Sequence, residues 1–158
     1  MDAKTHAKME AFCEAGDNYA AQEAYGKALD AYWNAFDLIP EPKTNWEAST
    51  WVLTAIGDAN FYLKDFEAGR DNLSNCMHCP GGIGNPFIHL RLGQCQLELG
   101  NKDRAADELT RAYALEGEQI FADENPKYFS FLKKKIKIES SPSNENEGDD
   151  WRKIVQDA

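Results

Sequence analysis

Cations are scarce over most of this chain. Residues 1–126 carry 10 Lys and Arg against 21 Asp and Glu, a net charge of −11. An acidic body repels phosphate backbones and anionic lipid, which excludes nucleic acid and membrane surfaces and leaves a basic or mixed-charge protein as the fitting partner. Long apolar runs are missing too. No stretch approaches the ~20 residues needed to cross a bilayer, and residues 1–10 lack the apolar run of a signal peptide. The expected location is the cytoplasm.

Residues with catalytic or metal-binding character are equally few. There are three histidines, none in an H-E-x-x-H spacing, and four cysteines, Cys13, Cys76, Cys79 and Cys95, expected as reduced thiols. Cys76-Met77-His78-Cys79 is the one local cluster, but a structural zinc site wants four ligands and no second close pair exists. At the C-terminal end of a helix the dipole also discourages a thiolate. The expectation is that Cys76 packs and Cys79 lies in a loop. Gly81-Gly82-Ile83-Gly84 is not followed by Lys-Ser or Lys-Thr, so it is a flexible connection and not a phosphate cradle. No serine sits in a nucleophile motif. We expect no cofactor, no metal, no catalytic residue and no enzymatic activity.

What the chain does contain is a repeat. Hydrophobic residues make up 42% of it, enough to fold. Gly16, Gly57 and Gly93 each follow apolar residues and precede a second apolar set: Ala28, Tyr32 and Ala35 after the first, Phe66 and Leu73 after the second, Ala105, Leu109 and Ala112 after the third. Units of roughly 34 to 41 residues are the period of stacked helix–turn–helix repeats. The helices expected are 10–24, 26–38, 46–63, 66–77, 87–99 and 102–115, with the breaker-rich 80–86 as a loop. The glycines allow each pair to close, while Tyr32, Leu73 and Leu109 are expected to fill the space between units. Gly69 stands where alanine is the better helix former, by about 1 kcal/mol, so the second unit is expected to be weaker there.

A seventh helix is expected over 125–138. Pro126 sits in its first turn, Tyr128, Phe129, Leu132 and Ile136 make its apolar face, and Lys133, Lys134, Lys135 and Lys137 make its wet one. The domain is then 1–138, with repeats at about 9–42, 46–80 and 86–117. Residues 139–158 form an acidic tail, and its apolar end at Trp151, Ile154 and Val155 invites docking into the chain's own groove.

These residues resemble the tetratricopeptide repeat (TPR) pattern W-x2-L-G-x2-Y followed by Ala, an aromatic, Ala and Pro. The first unit matches best, with Phe12, Gly16, Tyr19, Ala28, Tyr32, Ala35 and Pro40. The second departs at Asn60, Gly69 and Cys76, and the third at His89, Gln96 and Lys102. The resemblance implies an all-α fold, a right-handed superhelical stack of three helix–turn–helix repeats closed by a C-terminal capping helix. It also implies a concave face lined by the first helix of each repeat. Carried over by position, the partner-binding residues are Glu10, Asp17, Trp51, Asp58, Phe61, Tyr62, Phe87, Gln94 and Glu98. This inward set holds no Lys or Arg. The clamp with which some TPR adaptors hold a chaperone's C-terminal carboxylate is therefore not expected, since its places hold Cys13, Asp17, Thr54, Asp58, Leu90 and Gln94. The competing reading makes Trp51, Phe61 and Tyr62 core residues and the acids a solvated face.

A second resemblance is to the small stand-alone TPR-like proteins that bacteria encode beside toxins, carried by Pro40-Glu41-Pro42-Lys43, Trp46-Glu47-Ala48-Ser49 and residues 85–94. It implies an immunity protein that neutralises a cognate toxin domain by binding it. The alternative is an adaptor or co-chaperone-like scaffold that holds a peptide segment of a housekeeping partner. The oligomeric state stays open.

Overall fold

The computed structural model describes residues 1–136, so the expectations for the tail at 139–158 lie outside the described residues; the capping helix, expected to run to 138, ends at Lys135, with Ile136 extended. Seven α-helices follow one another: α1 (Ala3–Ala21), α2 (Tyr25–Asp37), α3 (Glu47–Tyr62), α4 (Phe66–Cys76), α5 (Pro86–Glu98), α6 (Lys102–Glu116) and α7 (Pro126–Lys135). Each packs on its chain neighbours, and α3 also touches α5. The result is three antiparallel hairpins, α1–α2, α3–α4 and α5–α6, stacked side by side and closed by α7.

Local chemistry sets the helix ends. The Asp2 carboxylate accepts from the Thr5 N–H at 2.7 Å, so α1 begins at Ala3, about two turns before the expected start at residue 10. Asp65, Asn85 and Asn125 cap α4, α5 and α7 in the same way. The α2 C-terminus is stopped by a side chain as well as by Pro40: the Lys43 ammonium donates to the carbonyls of Phe36 and Ile39. A turn of 3-10 helix, Lys43–Asn45, then leads to α3, which starts at Glu47 without a side-chain cap from Thr44 or Asn45. A second such turn, Glu118–Phe121, was not foreseen; it drops Phe121 into the core between α6 and α7.

The repeat is stricter in space than in sequence. A Cβ on Gly16 would collide with the Tyr32 ring, one on Gly57 with Leu73, and one on Gly93 with Leu109. Each glycine thus meets a large side chain at the same offset within its own hairpin. Tyr32, Leu73 and Leu109 therefore close each unit on itself, a contact that the expectation of filler between units did not include. The expectation for Gly69 is corrected too. A Cβ there would lie 2.9 Å from Cys95 Sγ on α5, and Cys95 is fully buried. Glycine at this point lets α4 and α5 touch, which outweighs its poor helix propensity.

The loop between α4 and α5 is held at three points and is not a free connection. The Thr50 hydroxyl donates to the Pro80 carbonyl at 2.7 Å. Gly82 lies so close to the Cys76 carbonyl that any Cβ would strike backbone. The Gly84 N–H donates to His89 Nε2 at 2.9 Å, which leaves the proton on Nδ1 to be donated to Glu108 Oε2 at 2.6 Å. Three of the six departures from the repeat pattern, His89, Asn60 and Gln96, are polar clasps. Asn60 accepts from Asn72 at 2.9 Å and Gln96 from Asn101 at 2.8 Å, where a tyrosine is usual.

Candidate binding groove

The helices α1, α3, α5 and α7 share a face that carries three open hollows in a row. The first, of about 250 Å³, lies between α1 and α3 and is lined by Met9, Glu10, Cys13, Asp17, Trp51 and Val52 among others. The second, of about 430 Å³, lies between α3, the 80–85 loop and α5, with Glu47, Thr50, Trp51, Thr54, Asp58 and Phe87. The third, of about 490 Å³, runs between the ends of α3 and α5 and the start of α7, with Phe61, Tyr62, Lys64, Glu98, Glu124 and Lys127. Trp51 stands 64% exposed on the wall shared by the first two.

The nine residues carried over by position separate into groups. Glu10, Asp17 and Trp51 face the first hollow, and Trp51, Asp58 and Phe87 the second. Phe61, Tyr62 and Glu98 face the third. Gln94 faces none of the three: it is fully buried, with its side-chain oxygen taking a hydrogen bond from Arg91 at 2.7 Å. Phe61 is half-buried and packs against Tyr62, Phe66 and Tyr128, so it is largely a seam residue.

The acids are not equally free. The Tyr32 hydroxyl donates to Asp17 Oδ1 at 2.7 Å, and Asp17 remains exposed to solvent. Glu98 accepts from the Tyr128 hydroxyl at 2.7 Å and from the Lys127 ammonium. Burial by itself would raise the Glu98 carboxyl, but these two donors outweigh it and hold it below the ordinary glutamate value.

The residue that sequence reading missed is Arg91. It is 2% exposed and lies at the middle of the same face. Its Nε donates to Asp58 Oδ1 at 2.8 Å, and one Nη reaches both Gln94 and Glu124, the latter at 3.1 Å. The guanidinium plane is 4.3 Å from the centroid of Phe61 and 5.0 Å from that of Phe87. The expected cation-free inward set is thus corrected: a cation is present, but it is consumed internally by two carboxylates. Burial, with Glu124 behind it, lifts the Asp58 carboxyl against the pull of Arg91. The structure buries every residue of 88–96, which the mixed apolar and polar sequence of that stretch does not announce. A charge in a helix buried all round must find partners.

The thiols are chemically quiet. Burial pushes Cys76 up to about 11 and Cys95 up to about 12. Cys13, in the first hollow, is raised by burial and then by Asp17 and Glu10, which favours the thiol over the nucleophilic thiolate. Among the described residues no group of three or more His, Cys, Asp or Glu is placed to hold a metal ion. No described helix is long and apolar enough to cross a membrane.

Stacked helical hairpins with glycine-closed units, a row of hollows on the first helices and a terminal capping helix define the tetratricopeptide-repeat fold. Solved structures share it. The first TPR domain of Spaghetti (RPAP3), bound to the HSP90 peptide SRMEEVD, is 22% identical with a TM-score of 0.65, over 85% of this chain and 92% of that one. The Yersinia enterocolitica type III secretion chaperone SycD, in complex with a peptide of the translocator YopD, is 15% identical with a TM-score of 0.62, over 79% of this chain and 89% of that one. In sequence the chain is similar to human DnaJ homolog subfamily C member 7, 25% identical over 98% of this chain; it spans only 29% of that relative's length. No family model matches the chain.

Proposed function

We propose that this chain is a non-enzymatic adaptor whose groove captures a segment of a protein partner in extended form. The observation that carries the reading is the row of hollows along α1, α3 and α5, with an indole left in solvent between two of them. A soluble domain spends exposed aromatic area sparingly except where it binds, and Trp is among the residues that most often dominate interface energy. The RPAP3 and SycD structures support a peptide ligand, since both hold one. They favour the adaptor reading over the immunity reading, which calls for coverage of a whole toxin domain.

The two readings separate on how much of the partner is required. A partner captured by the purified protein is cut into overlapping 15-residue peptides, and each is titrated alone. An adaptor keeps within about tenfold of the full affinity on one short peptide. If every peptide fails while the intact domain binds over a standard interface of about 1,600 Å², the adaptor reading falls and the immunity reading replaces it.

A further inference from the structure

The face divides into a locked half and an open half. In the locked half Arg91 holds Glu124, and Glu98 is held by Lys127 and Tyr128; Arg91 also reaches Asp58, on the border with the open half. A ligand reaching this half has to break those pairs. The open half is the pair of hollows on either side of Trp51. Their linings carry four carboxylates, Glu10, Asp17, Glu47 and Asp58, and no Lys or Arg.

The carboxylates of the open half keep accepting capacity. Glu47 has no ion-pair partner among the described residues, and Glu10 has only the exposed His6, at 3.6 Å. Asp17 uses one oxygen on a neutral phenol. Asp58 shares its arginine with Glu124, so one positive charge faces two negative ones and the group stays net negative. Between these acids stands the exposed indole, whose π face attracts a cation. Apolar walls adjoin it: Met9 and Val52 on one side, Phe87 on the other.

We propose, resting on the adaptor reading, that the open half binds an extended, positively charged peptide segment, seating a Lys or Arg side chain against Trp51 between the carboxylates of the two hollows and an apolar side chain beside it. The ligand is opposite in charge to the acidic SRMEEVD peptide in the RPAP3 structure. Charge complementarity fixes the sign of the ligand and speeds encounter, while Trp51 and the apolar walls supply the contact that outlasts screening.

The test uses the full chain and three fluorescein-labelled 10-residue probes, read by anisotropy at 50 and 300 mM NaCl. One probe alternates Lys and Leu, the second alternates Glu and Leu, both blocked at each end, and the third alternates Lys and Gly. The Lys/Leu probe is expected to bind at least about tenfold tighter than either of the others. Trp51→Ala is expected to weaken it by about tenfold, and Glu47→Gln with Asp17→Asn to flatten its salt dependence. Trp51→Leu is the second variant, keeping apolar volume while removing the π face. Trp33→Ala, in a separate hollow formed by α2 and α4, serves as the unaffected control. Tighter binding of the Glu/Leu probe overturns the proposal and leaves the adaptor reading standing. Lys/Leu binding that is indifferent to Trp51, or matched by Lys/Gly, reduces it to attraction by an acidic surface and also overturns it. Failure of every probe and of every partner peptide overturns both.

Discussion

Two residues illustrate how little a residue type says until its neighbours are known. Gly69 looks like a defect in α4, yet its hydrogen faces Cys95 Sγ across the α4–α5 contact. Gly69→Ala is expected to destabilise the chain by about 1–3 kcal/mol in urea denaturation, the cost of overpacking a filled core. In a Cys95→Ala background the sulfur is gone, so the same change is expected to be neutral or to gain up to about 1 kcal/mol of helix propensity. Equal effects in the two backgrounds would show that the contact with Cys95 is not what selects glycine. Arg91 is the opposite case, a charge that looks out of place and has six partners: Asp58, Gln94, Glu124, Phe61, Tyr62 and Phe87. Arg91→Ala leaves Asp58 and Glu124 facing each other in a confined site, and a loss of about 3–5 kcal/mol is expected. Arg91→Met keeps the stem that packs on Phe61 and Phe87, so pairing it with Asp58→Asn and Glu124→Gln is expected to recover most of that loss. A triple variant as unstable as Arg91→Ala would place the role of Arg91 in packing geometry and not in charge.

At the scale of elements, most boundaries were legible and most of the clasps were not. The glycine-headed windows and the breaker-rich 80–86 segment place six helices, and Pro126 with the apolar face behind it places the seventh, because period and turn chemistry are local properties of the chain. The candidate groove residues Trp51, Asp58 and Phe87 come from the inward positions that the TPR resemblance implies. Arg91's partners, the Gly69–Cys95 contact and the His89–Gly84 bond stayed hidden because each joins elements whose spacing is set only on stacking. One regularity crosses both levels. The hairpin turns place Glu23, Lys64 and Gly100 at left-handed φ values of 58°, 60° and 81°, each seven residues beyond its unit's glycine. Only the third turn uses the residue suited to that conformation. Glu23→Gly is therefore expected to stabilise by a few tenths to about 1 kcal/mol, and Gly100→Ala to destabilise by about 1–2 kcal/mol. Thermal unfolding of both variants checks this; a Glu23→Gly protein that melts lower would mean the Glu23 side chain contributes more than its backbone strain costs.

On the scale of the whole molecule, one contribution to stability against acid lies where α7 closes the stack. The Glu98 carboxylate at the end of α5 takes bonds from Lys127 and Tyr128, both on α7, and its folded-state titration lies below the ordinary value of 4.5. The sign follows from linkage. A carboxyl held low in the folded chain contributes fully above its unfolded value and loses that contribution as pH falls through the folded one. Asp58 works in the other sense, since burial raises it, so the acid profile of the native protein alone does not isolate Glu98. Comparison with Glu98→Gln does. That variant keeps an acceptor for Tyr128 but cannot pair with Lys127, so it is expected to be less stable at pH 7 and to lose less on going to pH 4. Hydrogen exchange places the effect in space: in the native protein the amides of α7 are expected to lose protection as pH falls below about 4.5, after correction for intrinsic exchange, before those of α3–α6. Glu98→Gln is expected to show α7 exchanging fast already at pH 7, with no further step. If α7 and α3–α6 instead lose protection together in both proteins, the cap and the repeats unfold as one cooperative unit, and Glu98 is not the group that releases the cap.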